Sequence, residues 1–399
     1  MNNNWNGFVG KAPSVTFANE LGMIPFERLV IHAEEAGPAM VDRALSREPG
    51  TLALEDFAAL LSPVAGERLE EMAQASREVT VARFGRTMQM YAPLYLSNEC
   101  LSSCTYCGFA RSLPIVRRTL NVAETQREAR HLLAQGFRSI LLLTGEHEKD
   151  TGVEFLEQHV RALSSEVPQI SLEVQVWSEA EYARLVEAGC EGVTIYQETY
   201  HPQTYARVHE AGRKRRYLWR LLGPERAARA GMRRLGVGAL LGLHPQWRYD
   251  AIAVAAHAAF LQRHYWRSSI SVSIPRMRPS ESHFSPEQPV SDRELTQYVC
   301  ALRLFLPDAG LVASTREPAA LRDGLFQVGI TRTSAGSATE PGGYEEPDAA
   351  GEQFQIADER SVSEVVEHLR GIGYEPVWED WARPSEAAER MLTGNRLPA

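Results

Sequence analysis

Residues 95–112 read YLSNECLSSCTYCGFARS and place three of the chain's five cysteines within eight residues. Cys100, Cys104 and Cys107 have the spacing C-x3-C-x2-C and follow directly on a β-rich run at residues 89–96. Three thiolates on one short loop can converge on a single metal centre, and thiolate is a preferred ligand of iron–sulfur clusters and of zinc. The position of this loop after a strand therefore guides both the fold prediction and the functional one.

Downstream of this run, β-rich segments alternate with segments of helical periodicity, and glycine or proline marks many of the junctions. Eight such strands with intervening helices predict an α/β fold, a closed (β/α)8 barrel of the TIM type. In that fold the loop after the first strand lies at the carboxyl-terminal face, where barrel active sites form. The predicted strands are residues 89–96, 139–143, 170–176, 192–196, 234–240, 269–274, 310–314 and 327–332.

Three regions are predicted along the chain. Residues 1–84 have helical periodicity without strong strand runs and form an N-terminal helical extension. Residues 85–340 form the barrel. Residues 341–399 form a C-terminal α/β tail that packs on the barrel and contains a predicted helix at residues 361–373.

Composition narrows the class of protein. The 399 residues are 44% hydrophobic and 23% charged, which is ordinary globular usage. With 42 basic and 51 acidic residues, a main role in gripping nucleic acid is not expected, and the basic run at residues 213–216 is interpreted as a solvated loop. Sparse cysteine excludes a disulfide scaffold, no run approaches the roughly 18 apolar residues of a membrane span, and residues 1–10 lack signal-peptide features. We therefore expect a cytoplasmic protein that binds neither nucleic acid nor membrane.

The three clustered cysteines leave one coordination position of a metal centre open. A cubane iron–sulfur cluster held by three thiolates keeps one iron free for a small molecule, whereas structural zinc normally takes a fourth Cys or His. A zinc-binding scaffold without catalysis is therefore the alternative from a different class. Cys190 and Cys300 stand alone and are interpreted as buried small hydrophobes.

The pattern C-x3-C-x-aromatic-C, with Tyr106 before the last cysteine, resembles the signature of the radical S-adenosylmethionine (SAM) enzymes. The resemblance covers roughly residues 80–385 and is most similar to the tyrosine lyases of thiamine biosynthesis, the 2-iminoacetate synthases. Segments that carry it include LLLTGEHE at 141–148, YQETYH at 196–201, STREP at 314–318 and TSAGSATEPGGY at 333–344.

Two relatives of these lyases remain as alternatives. The tyrosine lyase of hydrogenase maturation carries a second cluster bound by further cysteines, and this chain has no cysteine after Cys300. A tryptophan lyase of similar architecture would share the cysteine pattern and an arginine clamp for the substrate.

The resemblance implies a [4Fe–4S] cluster on Cys100, Cys104 and Cys107, with SAM chelated by the open iron. It implies that Gly145 and Glu146 meet the amino group of SAM and that Glu198 faces the same cofactor; Tyr106 and Arg276 are further candidate cofactor contacts. An amino-acid substrate must present a carboxylate, and a guanidinium is its natural clamp. Arg316 with Ser314 is the first choice for that carboxylate, and Arg278 is the second, since it could instead bind the carboxylate of SAM.

The reaction implied by the resemblance begins with removal of a hydrogen atom from the amino group of L-tyrosine. The Cα–Cβ bond then breaks to give 2-iminoacetate (dehydroglycine) and 4-methylphenol. The implied partners are a thiazole synthase that receives the imine and a flavodoxin-type electron donor.

Overall fold

The computed structural model describes residues 15–347 and 349–379. Residues 1–10, on which the signal-peptide expectation rests, lie outside the described residues, as do residues 380–399 of the predicted tail. Within the described ranges no helix has both the length and the apolarity needed to cross a membrane.

Eleven strands are present in the described residues. They are β1 (Thr87–Ser97), β2 (Ser103–Cys104), β3 (Ser139–Thr144), β4 (Gln169–Glu173), β5 (Gly192–Glu198), β6 (His209–Ala211), β7 (Arg234–Ala239), β8 (Ser269–Ser273), β9 (Gly310–Ala313), β10 (Arg332–Ser334) and β11 (Glu375–Val377).

Eight of these strands close into a parallel barrel in the order β1, β3, β4, β5, β7, β8, β9 and β10, because β10 pairs back onto β1. The predicted (β/α)8 fold is therefore confirmed. Strand β11 of the tail adds beside the start of β1, and the short strands β2 and β6 form an antiparallel pair of their own. All eight barrel strands run in the same direction, so the loops that follow them gather at one mouth.

Helices cover the outside of the barrel, which explains why a strand such as β3, with the sequence SILLLT, is buried along almost its whole length. Several of them begin with a capping box; at Ser178 and Glu181 each side chain accepts a backbone N–H of the other residue. The helices are α1 (Phe17–Leu21), α2 (Phe26–Glu35), α3 (Pro38–Leu45), α4 (Leu54–Leu60), α5 (Pro63–Glu67), α6 (Leu69–Phe84), α7 (Val122–Ala134), α8 (Val153–Leu163), α9 (Glu179–Ala188), α10 (Pro202–Val208), α11 (Tyr217–Leu221), α12 (Gly223–Arg229), α13 (Trp247–His264), α14 (Asp292–Phe305), α15 (Ala319–Val328) and α16 (Val362–Gly371).

The predicted eighth strand, residues 327–332, is wrong in its extent. Helix α15 continues through Val328, and the strand is β10, which begins only at Arg332. Leu325 and Phe326 are buried on the inner face of that helix, so the apolar run belongs to a buried helix end. A short apolar run does not distinguish these two cases by periodicity.

The tail strap, defined here as residues 351–358, crosses the mouth of the barrel. Its backbone is held from three sides: Gly108 N donates to Gln353 O over 3.1 Å, Gln355 N donates to Pro279 O over 3.0 Å, and Ala357 N donates to Thr315 O over 2.9 Å. The strap therefore ties the loop that carries Cys100, Cys104 and Cys107, called the cysteine loop below, to the loops after β8 and β9. The division at residues 84 and 340 stays a prediction.

Candidate active site

The cysteine loop is organised by one half-buried arginine on the segment that follows it. The guanidinium of Arg117 donates to four backbone carbonyl oxygens, at 2.6 Å to Asn98, 2.9 Å to Phe109, 2.7 Å to Ala110 and 3.3 Å to Leu113. These carbonyls lie on both sides of the three cysteines. Arg117 therefore fixes the two ends of the loop relative to each other.

A second restraint is the antiparallel pair of β2 and β6, which joins Cys104 to the segment after α10. Thr105 N donates to Val208 O over 3.0 Å. The hydroxyl of Tyr106, a predicted cofactor contact, lies 2.8 Å from Nε2 of His209. The middle of the cysteine loop is thus held by a strand from another part of the barrel mouth.

The three cysteines fit a thiolate-bound cluster in their chemistry and position. None is in a disulfide; Cys104 is buried, and Cys100 and Cys107 are half-buried. Burial raises the pKa of all three thiols, that of Cys100 to about 11, while the charge of Lys214 opposes the rise at Cys104 and Cys107. Buried thiolates need positive compensation, which a metal centre supplies. Across the described ranges no three His, Cys, Asp or Glu side chains, these cysteines included, are grouped closely enough to hold a single metal ion, so the fit rests on the three thiols' chemistry and on their place in one loop.

The turn after β3 packs directly against the cysteine loop. Gly145 N donates to Ser97 O over 3.0 Å, and Leu101 N donates to Glu146 O over 2.9 Å. A Cβ at Gly145 would lie 2.2 Å from the carbonyl oxygen of Glu99, so the close approach requires glycine. These contacts give Gly145 a structural role beside its predicted contact with SAM.

Four charged side chains form a buried network beside this turn. Lys214 Nζ lies 2.6 Å from Oε1 of Glu198, and Arg220 lies 2.9 Å from Glu146 and 3.7 Å from Glu198. Burial alone would raise the pKa of Glu198, but Lys214 and Arg220 hold it below its ordinary value. Glu198 ends β5 with φ of 70°, a conformation that costs energy for any residue other than glycine and clusters at functional sites.

The interpretation of residues 213–216 as a solvated loop is therefore wrong for Lys214. Its side chain is only 14% exposed and reaches inward, whereas Arg215 and Arg216 are exposed. The backbone turns through a short 3-10 helix, Arg213–Arg215, which directs one member of the basic run into the barrel mouth.

A cavity of about 910 Å³, counted with its open mouth, fills the barrel end beneath the tail strap. It brings together residues predicted to hold the cofactors and residues predicted to bind the substrate. The predicted residues that line it are Tyr106, Cys107, Glu198, Arg278, Ser314 and Arg316.

Arg316 is oriented toward this cavity by the tail strap. Its guanidinium lies 3.5 Å from the ring centroid of Phe354, and its backbone N–H donates to Oγ of Ser314 over 3.4 Å. Nε of Arg278 is buried without a hydrogen-bond partner. Donors that face a cavity in this way suit an anionic ligand group.

Arg276 does not line the cavity. It pairs with Glu317, lies 2.8 Å from Asp292 and donates to Val290 O over 2.8 Å. These partners connect the segment after β8 to the starts of α14 and α15. Its predicted contact with a cofactor stays a prediction.

Glu173, which sequence reasoning did not single out, also lines the cavity from the end of β4. Burial and the charge of Glu198 raise its pKa to about 7, while Arg316, Lys214 and Arg220 act in the opposite direction. The sequence did carry a signal, namely a charged residue inside the apolar run 170–176. Strand β4 ends at this residue instead of continuing to residue 176. Besides Tyr106, the phenols of Tyr91, Tyr95 and Tyr196 surround the same space.

Comparisons with known proteins agree with this arrangement. Residues 94–255 match the Radical SAM superfamily, and residues 273–375 match the Biotin and Thiamin Synthesis associated domain. Two curated proteins named 2-iminoacetate synthase, from Escherichia coli (strain K12) and Salmonella typhimurium (strain LT2), are 42% and 40% identical over 92% of this chain and 97% of their own lengths. The solved structure of HydG, a maturase of the [FeFe]-hydrogenase, has a TM-score of 0.82 at 27% identity and covers 91% of this chain and 80% of that chain.

A closed barrel that carries three cysteines on its first mouth loop, together with the match at 94–255, defines a radical SAM enzyme. Identity of 40–42% over almost the whole length then decides the family: the chain belongs to the 2-iminoacetate synthases. The predicted cofactors, a [4Fe–4S] cluster and SAM, are confirmed, and the alternative of a zinc-binding scaffold is set aside.

Proposed function

We propose that the cavity at the barrel mouth is where the reaction of this family takes place. The chain is a radical SAM lyase that cleaves the Cα–Cβ bond of L-tyrosine to 2-iminoacetate and 4-methylphenol for thiazole formation in thiamine biosynthesis. The observation that supports the cavity as the site is that Cys107 and Arg316 line the same space. A cofactor held on the cysteine side and an amino acid held by the arginine would meet inside it.

Cys100, Cys104 and Cys107 would hold the cluster, with Tyr106, Gly145, Glu146 and Glu198 beside the bound SAM. When bound, these cofactors would supply the radical chemistry by which a hydrogen atom is removed from the substrate. Arg117 and the pair of β2 and β6 keep the cysteine loop in one conformation. The Lys214–Glu198 pair keeps a carboxylate ionised despite burial, so that it can accept hydrogen bonds from hydroxyl or ammonium groups.

Arg316 and Ser314 would bind the carboxylate of L-tyrosine. A guanidinium held against an aromatic ring keeps its planar donors oriented, and a carboxylate accepts two of them at once. Arg278 follows β8, the strand that pairs with β9, lines the same cavity and could bind either the substrate carboxylate or that of SAM. Of these two arginines we favour Arg316 for the substrate carboxylate, because it lines the cavity and also packs against Phe354 of the tail strap.

The tail strap covers the substrate end of the cavity. Tyr95 on the first strand donates through its hydroxyl to Oε1 of Gln353 over 2.7 Å, which fastens the strap inside the mouth. A cover of this kind limits the entry of water, which would hydrolyse an imine product. The same chemistry favours direct transfer of the imine to a thiazole synthase, and a flavodoxin-type donor in the cytoplasm would supply the electron. Residues 85–340, with the tail folded over them, would form the catalytic unit.

One experiment tests the substrate and the site together. The anaerobically reconstituted protein is incubated with SAM, dithionite and either L-tyrosine or L-tryptophan, and 4-methylphenol is measured. Tyrosine should give 4-methylphenol, and Cys104→Ala should abolish both the iron–sulfur absorbance and SAM cleavage. Turnover of tryptophan alone would move the chain to the tryptophan lyases, and cleavage retained in Cys104→Ala would refute the ligand assignment.

A further inference from the structure

We propose that Glu173 binds the α-amino group of the substrate and accepts a proton from it. The proposal rests on the function given above, because it concerns how that cavity takes an amino acid. In this step an N–H bond of the ammonium group breaks and an O–H bond forms on the Glu173 carboxylate. No electron is transferred, and the substrate is left as a neutral amine from which a hydrogen atom can be removed.

The first argument is position. Glu173 is the last residue of β4, and Arg316 follows β9 on another wall of the same cavity. The positive charge of Arg316 acts on the carboxylate of Glu173 across this space. The cavity therefore presents one anionic and one cationic group to the same ligand. A zwitterionic amino acid carries the opposite charges on two groups attached to the same carbon atom and can neutralise both.

The second argument is the lack of a partner within the protein. Glu198 and Glu146 are paired with Lys214 and Arg220, but the Glu173 carboxylate has no ion pair or hydrogen bond in the described part of the chain. Enclosing a carboxylate without a partner is costly, so such a group is kept where a ligand completes it. An ammonium group satisfies such a carboxylate through charge-assisted hydrogen bonds, and the α-amino group of an amino acid supplies one.

The third argument is protonation. The pKa of Glu173, raised by burial to about 7, suits a group that must lose a proton to bind an ammonium ion and take one from it afterwards. The surrounding charges and titratable groups are spread over several elements of the barrel mouth. They are Glu198 and Tyr196 on β5, Lys214 and Arg220 beyond β6, Arg278 after β8, Arg316 after β9, Tyr91 and Tyr95 on β1, and Tyr106 and Cys107 on the cysteine loop.

The test compares two ligands that differ in the amino group alone. The reconstituted protein, with SAM and without reductant, is titrated calorimetrically with L-tyrosine and with 3-(4-hydroxyphenyl)propanoate. Glu173→Gln should weaken L-tyrosine binding about 10- to 100-fold and leave the propanoate equal or tighter. Equal weakening of the binding of both ligands would overturn the proposal, because Glu173 would then contact the phenol or maintain the shape of the cavity.

Protonation is tested by the pH dependence of the same binding. L-Tyrosine affinity of the unmodified protein should fall as the pH drops from 8 to 6, and Glu173→Gln should lose that dependence. Glu173→Asp, which keeps the charge, should retain it; an unchanged pH profile in Glu173→Gln would contradict the proposed proton transfer. Iron content and SAM binding check that each variant is folded. Absence of 4-methylphenol from the unmodified protein would instead refute the proposed function, whatever the binding results.

Discussion

Lys214 Nζ lies 2.6 Å from Oε1 of Glu198, and this pair joins the segment after β6 to the end of β5 at the barrel mouth. With Arg220 and Glu146 it forms a group of two positive and two negative charges, all nearly buried. Because the charges balance, removing one of them should cost more than removing an opposite pair.

We predict that Lys214→Met lowers the free energy of unfolding by about 2–3 kcal/mol, since it leaves Glu198 with only the longer contact to Arg220. Adding Glu198→Gln should restore at least half of this loss, which denaturant titration of both variants would measure. Arg215→Met, on an exposed neighbour, is the matched control and should have little effect. Additive losses in the double variant would contradict a balanced network.

Arg117→Met should prevent stable loading of the cluster. The substitution removes the donors of four carbonyl groups that flank the cysteines and costs about 3 kcal/mol in stability. Iron content after reconstitution and the thermal midpoint would measure both effects. Arg111→Met, an exposed arginine in the same loop, should load iron normally. A fully loaded Arg117→Met protein would mean that the cysteines hold the loop without this clamp.

The first seven strands of the barrel could be predicted because each carries apolar residues at strand spacing, followed by a turn signal. The eighth strand was misplaced where a buried helix end, around Phe326, has the same composition as a strand. The cysteines and Arg316 could be found because their residue types and spacing imply a chemistry. Lys214 could not, because its inward direction depends on a backbone turn within a run of four basic residues. Glu173 was hidden inside an apolar run.

Gly145→Ala should disturb the cysteine loop even though the side chain gains a single methyl group. The new Cβ would lie 2.2 Å from Glu99 O and 3.0 Å from Cys100 Cβ, so the backbone of one of the two segments must move. We expect a loss of about 2 kcal/mol and reduced iron content. Gly324→Ala is the control: this position in α15 has open space, and alanine there should be neutral or stabilising by about 0.5–1 kcal/mol. Equal behaviour of the two variants would refute the close packing at Gly145.

Glu173→Gln should raise the free energy of unfolding even though it weakens the binding of L-tyrosine. Burial raises the pKa of Glu173 from 4.5 to about 7, so the folded state holds a proton that the unfolded state releases between these values. The carboxylate therefore contributes a cost to folding that is absent below about pH 4.5 and grows until about pH 7. The gain in unfolding free energy from Glu173→Gln should accordingly be larger at pH 8 than at pH 5.5, by about 2 kcal/mol.

Denaturant titrations of the two proteins at both pH values would measure this difference, with Glu367→Gln as the exposed control. A gain that is the same at pH 5.5 and pH 8 would mean that Glu173 keeps an ordinary pKa and that the cavity already solvates its charge. An unpaired carboxylate that destabilises the ligand-free protein is expected at a ligand-binding site, because the ligand restores the lost free energy when it binds.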